Sequence, residues 1–350
     1  MSQVAVIGAG IAGLTVAAEL ANAGHTVSLY DKSHGAGGRC ATRRSTVGAF
    51  DHGAPGFSAT TAAFRAHVAA WQDAGWVSGN SETEGMAAGD ASRRTAPAPS
   101  SIYGVPSMNA LARQLAASLP AGVTLSTDRH VTAIDPNAAG AGWQLRMSTG
   151  AVIATRFDAV VAAVPAEQAA ALLAPDAALA DAMRHTRSDP CWTLMAAWAH
   201  PLPTALDTYR SSDAHGVLSL ARRDDARLGR TNVEGVASRW VLHATPQWAI
   251  EHLEAPAETV TAELLRAFEG RHGVRLDTPV HVVAHRWRYA QVRTPRSEPF
   301  GWNAALRLGA CGDAWHASGD PGSNAPDGIE RAWLSGRALA QQMRRTLSPG

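Results

Sequence analysis

Lysine is almost absent from this chain. Lys and Arg together number 31, and Lys32 is the single lysine. Beyond that position no primary amine is present for a Schiff base, a P-loop or a catalytic amine. Cysteine is scarce as well. Cys40, Cys191 and Cys311 are far apart and odd in number, which argues against a disulfide framework and fits a reducing compartment. No apolar run reaches the roughly 18 residues needed to span a bilayer. An apolar strand beginning by Val4 leaves no room for a cleavable signal ahead of it. No membrane association is therefore expected, and the cytoplasm is the expected location. A net charge of +1 gives no global field that would favour nucleic acid or an anionic membrane.

What is present is a globular composition, 46% hydrophobic and 17% charged over 350 residues, enough for two domains and a sizeable core. The first forty residues organise the rest. Val4-Ala5-Val6-Ile7 is a short apolar run, and Gly8-Ala9-Gly10-Ile11-Ala12-Gly13 follows at once. An Ala- and Leu-rich stretch then leads to Val27-Ser28-Leu29-Tyr30 and Asp31. Strand, glycine turn, helix, strand and acid in that order are the opening of a dinucleotide-binding fold. Gly8 permits the tight turn, Gly10 lets backbone approach a pyrophosphate, and Gly13 lets the helix pack closely on the strand. The phosphates belong at the helix N-terminus, and Asp31, with Lys32 beside it, stands where a carboxylate accepts from a ribose diol.

Two glycine-rich segments follow. In Gly35-Ala36-Gly37-Gly38-Arg39 the loop can wrap a diphosphate and the forked Arg39 guanidinium can bind it. In Phe50-Asp51-His52-Gly53-Ala54-Pro55-Gly56-Phe57, glycines and a proline constrain backbone to pass close to something flat, such as an isoalloxazine. Ala62 to Trp76 has the spacing of an amphipathic helix. Residues 78–100 are expected to be a long loop or weak hairpin, mobile and exposed. Ser107 can cap a helix over Met108–Ser118. A hairpin is expected around Ser148-Thr149-Gly150. Ala159 to Val164 is a continuous apolar run, as a buried parallel strand requires, and Pro165 stops it.

From Ala166 to about Phe300 the texture changes. Alternating runs at 193–198, 239–244 and 280–287 predict one antiparallel sheet, with a helix over 256–269 covering it. A last strand ends at Cys311-Gly312-Asp313, and a final helix starts at Gly328-Ile329. The expected fold is α/β: a Rossmann-type FAD-binding domain and a second α+β substrate domain built on an antiparallel sheet. The first is assigned residues 1–60, 104–165 and 299–350, and the second 61–103 and 166–298.

With these segments in hand the chain resembles a bacterial member of the renalase family, within the amine-oxidase-like FAD proteins. The resemblance covers nearly the whole chain. It is carried by Asp31–Arg39, Asp51-x-Gly53-Ala54, Trp240–Thr245 with Trp248, His285–Ala290, and Cys311–Gly336. It implies a non-covalently held FAD. The cofactor would be lined by Gly8, Gly10–Gly13, Asp31, Lys32, Gly38, Arg39, Asp51, His52, Gly53 and Ala54. Val131 would contact the adenine region and Pro165 would end the strand beside the dinucleotide. Gly312 and Asp313 would meet the ribityl chain, and Gly328 with the Ile329 amide the flavin pyrimidine. It also implies oxidation of 1,2- or 1,6-dihydronicotinamide isomers of NAD(P)H, with hydride passing to flavin N5 and molecular oxygen reduced to hydrogen peroxide. One departure stands out: Pro55-Gly56 replaces a Gln-Tyr pair of the family pattern.

For catalysis the candidates are His243, Tyr289 and Trp287, and for substrate binding Trp240, Trp248, Arg286 and Phe57. His243 is either a group orienting a carboxamide or a hydrogen-bonded core histidine. Each tryptophan is either pocket wall or core, and Arg286 and Arg288 either bind substrate or form surface ion pairs. His281 and His285 lack a nearby carboxylate partner in sequence, so no metal site is expected. A flavin amine oxidase acting on another small substrate and a non-catalytic flavin-binding protein are the other readings the residues admit. Against the first stands the lack of any lysine that could reach a flavin ring.

Overall fold

The computed structural model describes residues 1–79, 84–86, 102–138, 140–204, 206–272, 275–316, 318–320 and 324–347. Two six-stranded sheets dominate it. In the first the order is Gly301–Asn303, Leu308–Ala310, Ala159–Ala162, Gln3–Ile7, Thr26–Tyr30 and Val123–Ser126. All neighbours are parallel except the Gly301–Asn303 edge. Val4, Ala5 and Val6 and all four residues of Ala159–Ala162 are fully buried, because helices cover both faces of a parallel sheet. The helix Ile11–Asn22 lies against the final helix Gly328–Leu347. Their contact is close because Gly336 has no side chain: a Cβ there would stand 2.6 Å from the Ala12 carbonyl oxygen.

The second sheet runs His281–Val292, Ser188–Trp198, Ser238–Ala244, Leu218–Arg223, Thr208–Arg210 and Glu84–Met86. It is antiparallel except for the last pair, which is parallel. The helix Ala257–His272 covers one face, placing Val260, Leu264 and Phe268 on Leu194, Trp198, Trp240 and Leu242. These side chains are fully or almost fully buried, and each such burial stabilises by about 1.5–3 kcal/mol. Strand alternation turns Met195, Ala197 and Val241 to the opposite face, where they meet Phe50. That face is turned toward the first sheet's unit and carries the candidate site.

The elements differ from expectation in a few places. The helix expected over 62–76 is Ala62–Asp73, and it buries Phe64, Val68 and Trp71 in the core of the first sheet. In the 78–100 stretch, Glu84–Met86 adds a strand to the second sheet, while 80–83 and 87–100 lie outside the described residues. The strand Trp143–Met147 pairs mainly with Val131–Pro136, with only a bridge to Val152. Ser107 stands at the N-cap of Met108–Ala117, but its side chain makes no capping bond. Asp51 caps that helix instead, accepting from the Met108 amide at 3.1 Å.

Candidate active site

The glycine turn has the shape its spacing predicts. Gly8 has φ +104, and a Cβ there would meet the Ala163 carbonyl oxygen at 2.4 Å. At Gly13 a Cβ would stand 1.8 Å from the Gly8 oxygen, so helix and strand could not close with any other residue. Gly10 differs: nothing lies within 4 Å of its missing Cβ, and no side chain caps the helix it opens. The first-turn amides are therefore left for a ligand, as anion-binding helix starts require. Gly38 (φ +51) faces it, its missing Cβ 3.7 Å from the Gly10 Cα. Asp31 ends the second strand and holds the turn, accepting from the Ala9 amide at 2.7 Å and the Ser33 amide at 2.8 Å.

From this cradle the Arg39 segment runs toward the second sheet. The Arg39 fork closes on Asp313, with Nη1 to Oδ2 at 2.7 Å and Nη2 to Oδ1 at 2.6 Å. Nη1 also reaches the Ala290 carbonyl at 3.4 Å. Gly53 packs on this segment, where a Cβ would meet the Arg39 carbonyl oxygen at 2.0 Å, and the Ala54 amide donates to that same oxygen at 2.8 Å.

The next residues cross the inner face of the second sheet. His52 stacks on Trp287 (centroids 5.2 Å apart, 29° between planes) and stands edge-on to His285 at 4.8 Å. Trp287 Nε1 donates to the His52 carbonyl at 2.9 Å. Pairing places His285, Thr193 and His243 in one row across three strands. Farther along, the Pro55 carbonyl accepts from both Arg222 and Arg227. Arg222, Arg227, Asp51, Asp224, Pro55 and His243 line a small cavity of about 10 Å³.

Under this crossing lies an ion cluster. Asp51 Oδ2 pairs with Arg227 at 2.7 Å and Arg230 at 2.6 Å, and Arg230 pairs with Asp224 at 3.0 Å. Every side chain in it is 3% exposed or less. Asp51 Oδ1 accepts from Thr42 Oγ1 at 2.5 Å as well as from Met108. Burial, with the adjacent Asp51 carboxylate, pushes the Asp224 carboxyl up to about 6 against the pull of Arg230 and Arg227. Burial pushes His52 down to about 4, helped by His285. Burial and then Arg222 push His243 down to about 3. His285 is lowered by burial too, so the imidazoles of this face are neutral at pH 7.

Residues 6–72 match the model for an NAD(P)-binding Rossmann-like domain. Residues 52–344 match that for flavin containing amine oxidoreductase. The chain belongs to the flavin-containing amine oxidoreductase family. Solved structures of the same fold include a protein from Exiguobacterium sp. 255-15 provisionally described as a protoporphyrinogen oxidase. It is 14% identical, with 98% of this chain and 99% of that one covered and a TM-score of 0.71. Another is a wild-type putrescine oxidase bound to putrescine (14% identity, 98% of each chain, TM-score 0.66). A third is an oxidoreductase from Methanosarcina mazei (14% identity, 97% and 100%, TM-score 0.64). As a flavin-containing amine oxidoreductase the chain uses FAD. The residues present fit it: an uncapped helix start at Gly10, glycines where a Cβ would fill the cradle, and an open approach at Gly312, which has nothing within 4 Å of its missing Cβ.

Several expected roles are corrected in this oxidoreductase. Arg39 spends its fork on Asp313, a carboxylate that matches its geometry, rather than presenting it toward the phosphate turn. Asp51 belongs to the ion cluster rather than to a flavin-facing surface. The Ile329 amide donates to Asp327 Oδ1 at 3.0 Å, because Asp327 caps the last helix; Gly328 faces Asp313 beside it. Trp240 lies in the core under the helix Ala257–His272, since its position alternates away from the site, and Trp248, on the short helix Pro246–Glu251, packs into the same core. Phe57 packs with Phe64 and Trp71 in the core of the first sheet. Arg286 points to the outer face, where it pairs with Glu254 and covers Trp192; Arg288 joins the same carboxylate. His243 and Trp287 are on the inner face, and Tyr289 follows, half-buried, beside Ala290. Lys32 is exposed next to Asp31. Val131 is buried near Tyr30, and Pro165 starts the helix Ala166–Leu172 just beyond the Gly8 turn. Sequence reasoning missed Arg222, Asp224, Arg227 and Arg230. The available signal was a nine-residue run, Arg222 to Arg230, with both charge signs interleaved directly after an apolar strand.

Two outcomes test this geometry. Gly10→Val has room in the protein itself, so the variant should fold like the parent but retain about tenfold less flavin. That is the order expected from losing one charge-assisted contact worth about 1.4 kcal/mol. The ratio of flavin to protein absorbance after purification measures it, and parental flavin content would contradict it. The second is acid stability. His52 and His243 stay neutral in the fold far below their ordinary 6.5, so the unfolded chain binds protons first. Their contribution is whole above pH 6.5 and is lost as pH falls toward 4. Asp224, raised from 3.8 to about 6, acts with the opposite sign between those values, one group against two. The melting temperature should therefore fall from pH 7 to pH 5, and His243→Gln should flatten that fall; parallel curves would mean that His243 titrates in the fold as it does in the unfolded chain.

Proposed function

We propose that the chain is a renalase-like oxidase that takes hydride from 1,2- or 1,6-dihydronicotinamide isomers of NAD(P)H. The observation that carries this reading is the charge state of the inner face. Its buried carboxylates, Asp51 and Asp224, are both tied to guanidiniums, and its imidazoles, His52, His243 and His285, are neutral. An ammonium substrate finds no carboxylate to neutralise it there among the described residues. A neutral, flat, electron-rich ring meets His52, His285 and Trp287, which offer stacking surface.

The chemistry asks little else of the protein. A dihydropyridine that loses hydride becomes aromatic, and no proton leaves its carbon, so no general base is required. That agrees with a chain whose sole lysine lies exposed beside Asp31. FAD, when bound, supplies the acceptor for the hydride, and both electrons pass with one further proton to dioxygen, giving hydrogen peroxide. The Gly10–Gly13 turn with Ile11 and Ala12 would hold the pyrophosphate, Asp31 the ribose and Val131 the adenine edge, and Gly312 with Asp313 would meet the ribityl chain. His52 and Trp287 orient the substrate ring and exclude water. His243 donates to the ring's acyl substituent. Three unpaired cysteines suit the reducing cytoplasm in which we place this reaction.

Family membership supports a second reading, oxidation of an amine. Anaerobic mixing decides between them. The dihydronicotinamide isomers should bleach the flavin absorbance at least about 100-fold faster than putrescine or other primary amines, a discrimination that polar pocket recognition can supply. Bleaching by amines alone would reverse the assignment.

A further inference from the structure

Among the described residues the Arg43 guanidinium has no hydrogen-bond or ion-pair partner, and the residue is exposed. Its place in the fold nevertheless ties it to the inner face. Arg43 stands opposite Phe50 in the hairpin formed by Arg43–Ser45 and Gly48–Phe50, and opposed residues of an antiparallel pair share a side. Phe50 stacks on His281, with centroids 5.8 Å apart and 15° between planes. Arg43 is therefore on the side of the hairpin turned to the edge strand His281–Val292. Burial lowers His281, His285 and His52, and the Arg43 charge adds to this at all three, at His52 behind that of His285. The carboxylate felt at His52, Asp51, is already held by Arg227 and Arg230. Arg39 closes on Asp313, and Arg222 shares the Pro55 carbonyl with Arg227. Arg43 thus differs from these four in presenting a whole guanidinium fork to solvent at the border of the stacked rings.

We propose that Arg43 anchors a phosphate ester on the ribose of the substrate, so that the enzyme takes dihydropyridine nucleotides in preference to the corresponding ribosides. The inference rests on the reading of the inner face as a dihydropyridine site. Alternation puts His281 and His285 on one side of their strand, about 13 Å apart. The ring lies at the His285 end, where Trp287 meets His285 at 4.7 Å, and the ribose leads from it toward His281. The first phosphate then comes within reach of Arg43, whose fork matches two phosphate oxygens. Neutral imidazoles beside it offer N–H donors without a competing charge. His52 Nδ1, buried and without a hydrogen-bond partner among the described residues, is one polar atom on this path still to be satisfied. Phosphate also offsets a positive charge that the three imidazoles otherwise feel uncompensated.

Titration of the oxidised holoenzyme with nicotinamide riboside, nicotinamide mononucleotide and NAD+, followed by the flavin difference spectrum, tests this without turnover. The mononucleotide should bind about tenfold tighter than the riboside or better, as one charge-assisted contact predicts, and added chloride should narrow that ratio. NAD+, which carries phosphate on the same ribose carbon, should also bind more tightly than the riboside. Arg43→Gln should bring mononucleotide and riboside within about twofold, while Arg43→Lys, which keeps the charge, should hold the ratio above about threefold. Neither variant loses a side-chain partner in the fold, and the ratio in the parent enzyme stands as a test by itself. Equal binding of riboside and mononucleotide, tight binding of NAD+ alone, a ratio untouched by Arg43→Gln, or no spectral response to any of the three would overturn the proposal. Bleaching by the dihydronicotinamide isomers together with a mononucleotide-to-riboside ratio near one would sink the anchor and leave the dihydropyridine reading intact. A clear, Arg43-dependent preference for the mononucleotide without bleaching by any isomer would do the reverse.

Discussion

The Asp51 carboxylate is the tie on which the rest of the site depends. One of its oxygens caps the helix Met108–Ala117 and takes the Thr42 hydroxyl. The other takes Arg227 and Arg230, which belong to the loop after the Leu218–Arg223 strand. Removing a carboxylate from such a buried cluster costs about 3–5 kcal/mol, because the guanidiniums are left uncompensated. The cost is accepted at a place where it sets geometry. His52 is the next residue, and with Asp51 anchored its ring comes down on Trp287 and His285. The same tie brings Pro55 under Arg222 and Arg227. A flat apolar contact between the two sheets would slide; a buried, directional ion cluster does not.

A second tie works at the other end of the crossing segment. Glu330 is fully buried and accepts from the amides and hydroxyls of both Thr60 and Thr61. Asp327 takes Ser58 while it caps the last helix. The segment from Asp51 to Thr61 is therefore held by carboxylates at both ends, and its middle, His52 to Pro55, lies over the inner face. Rigid ends with a functional middle are what a site needs to keep rings and hydrogen-bond donors in register.

How far this was legible in the sequence differs by element. The glycine turn was readable because the positive φ at Gly8 and the approach of Gly13 to the Gly8 oxygen are local demands, although the Ala163 carbonyl that presses on Gly8 comes from a distant strand. The inner sheet was readable from alternation at 193–198 and 239–244, and alternation also separates Trp240 from His243. Applying it strictly at Trp240 and Arg286 would have placed both on the outer face. The role of Asp51 was not readable. Its partners Arg227 and Arg230 are distant in sequence, and an Asp followed by His-Gly-Ala looks like a cofactor loop whether or not it carries an ion pair. Arg39 and Asp313 were each recognised near the cofactor, yet their pairing is a tertiary fact that neither motif contains.

The account comes down to whether the Asp51 cluster couples the two sheets. A double-mutant cycle with Asp51→Asn and Arg230→Met, followed by urea unfolding of the parent, both single variants and the double variant, measures that directly. A coupling energy of about 2 kcal/mol or more is predicted, since each single change strands a buried partner that the double change removes. Additivity within about 0.5 kcal/mol would contradict it, and would mean that His52 and Trp287 meet for some other reason.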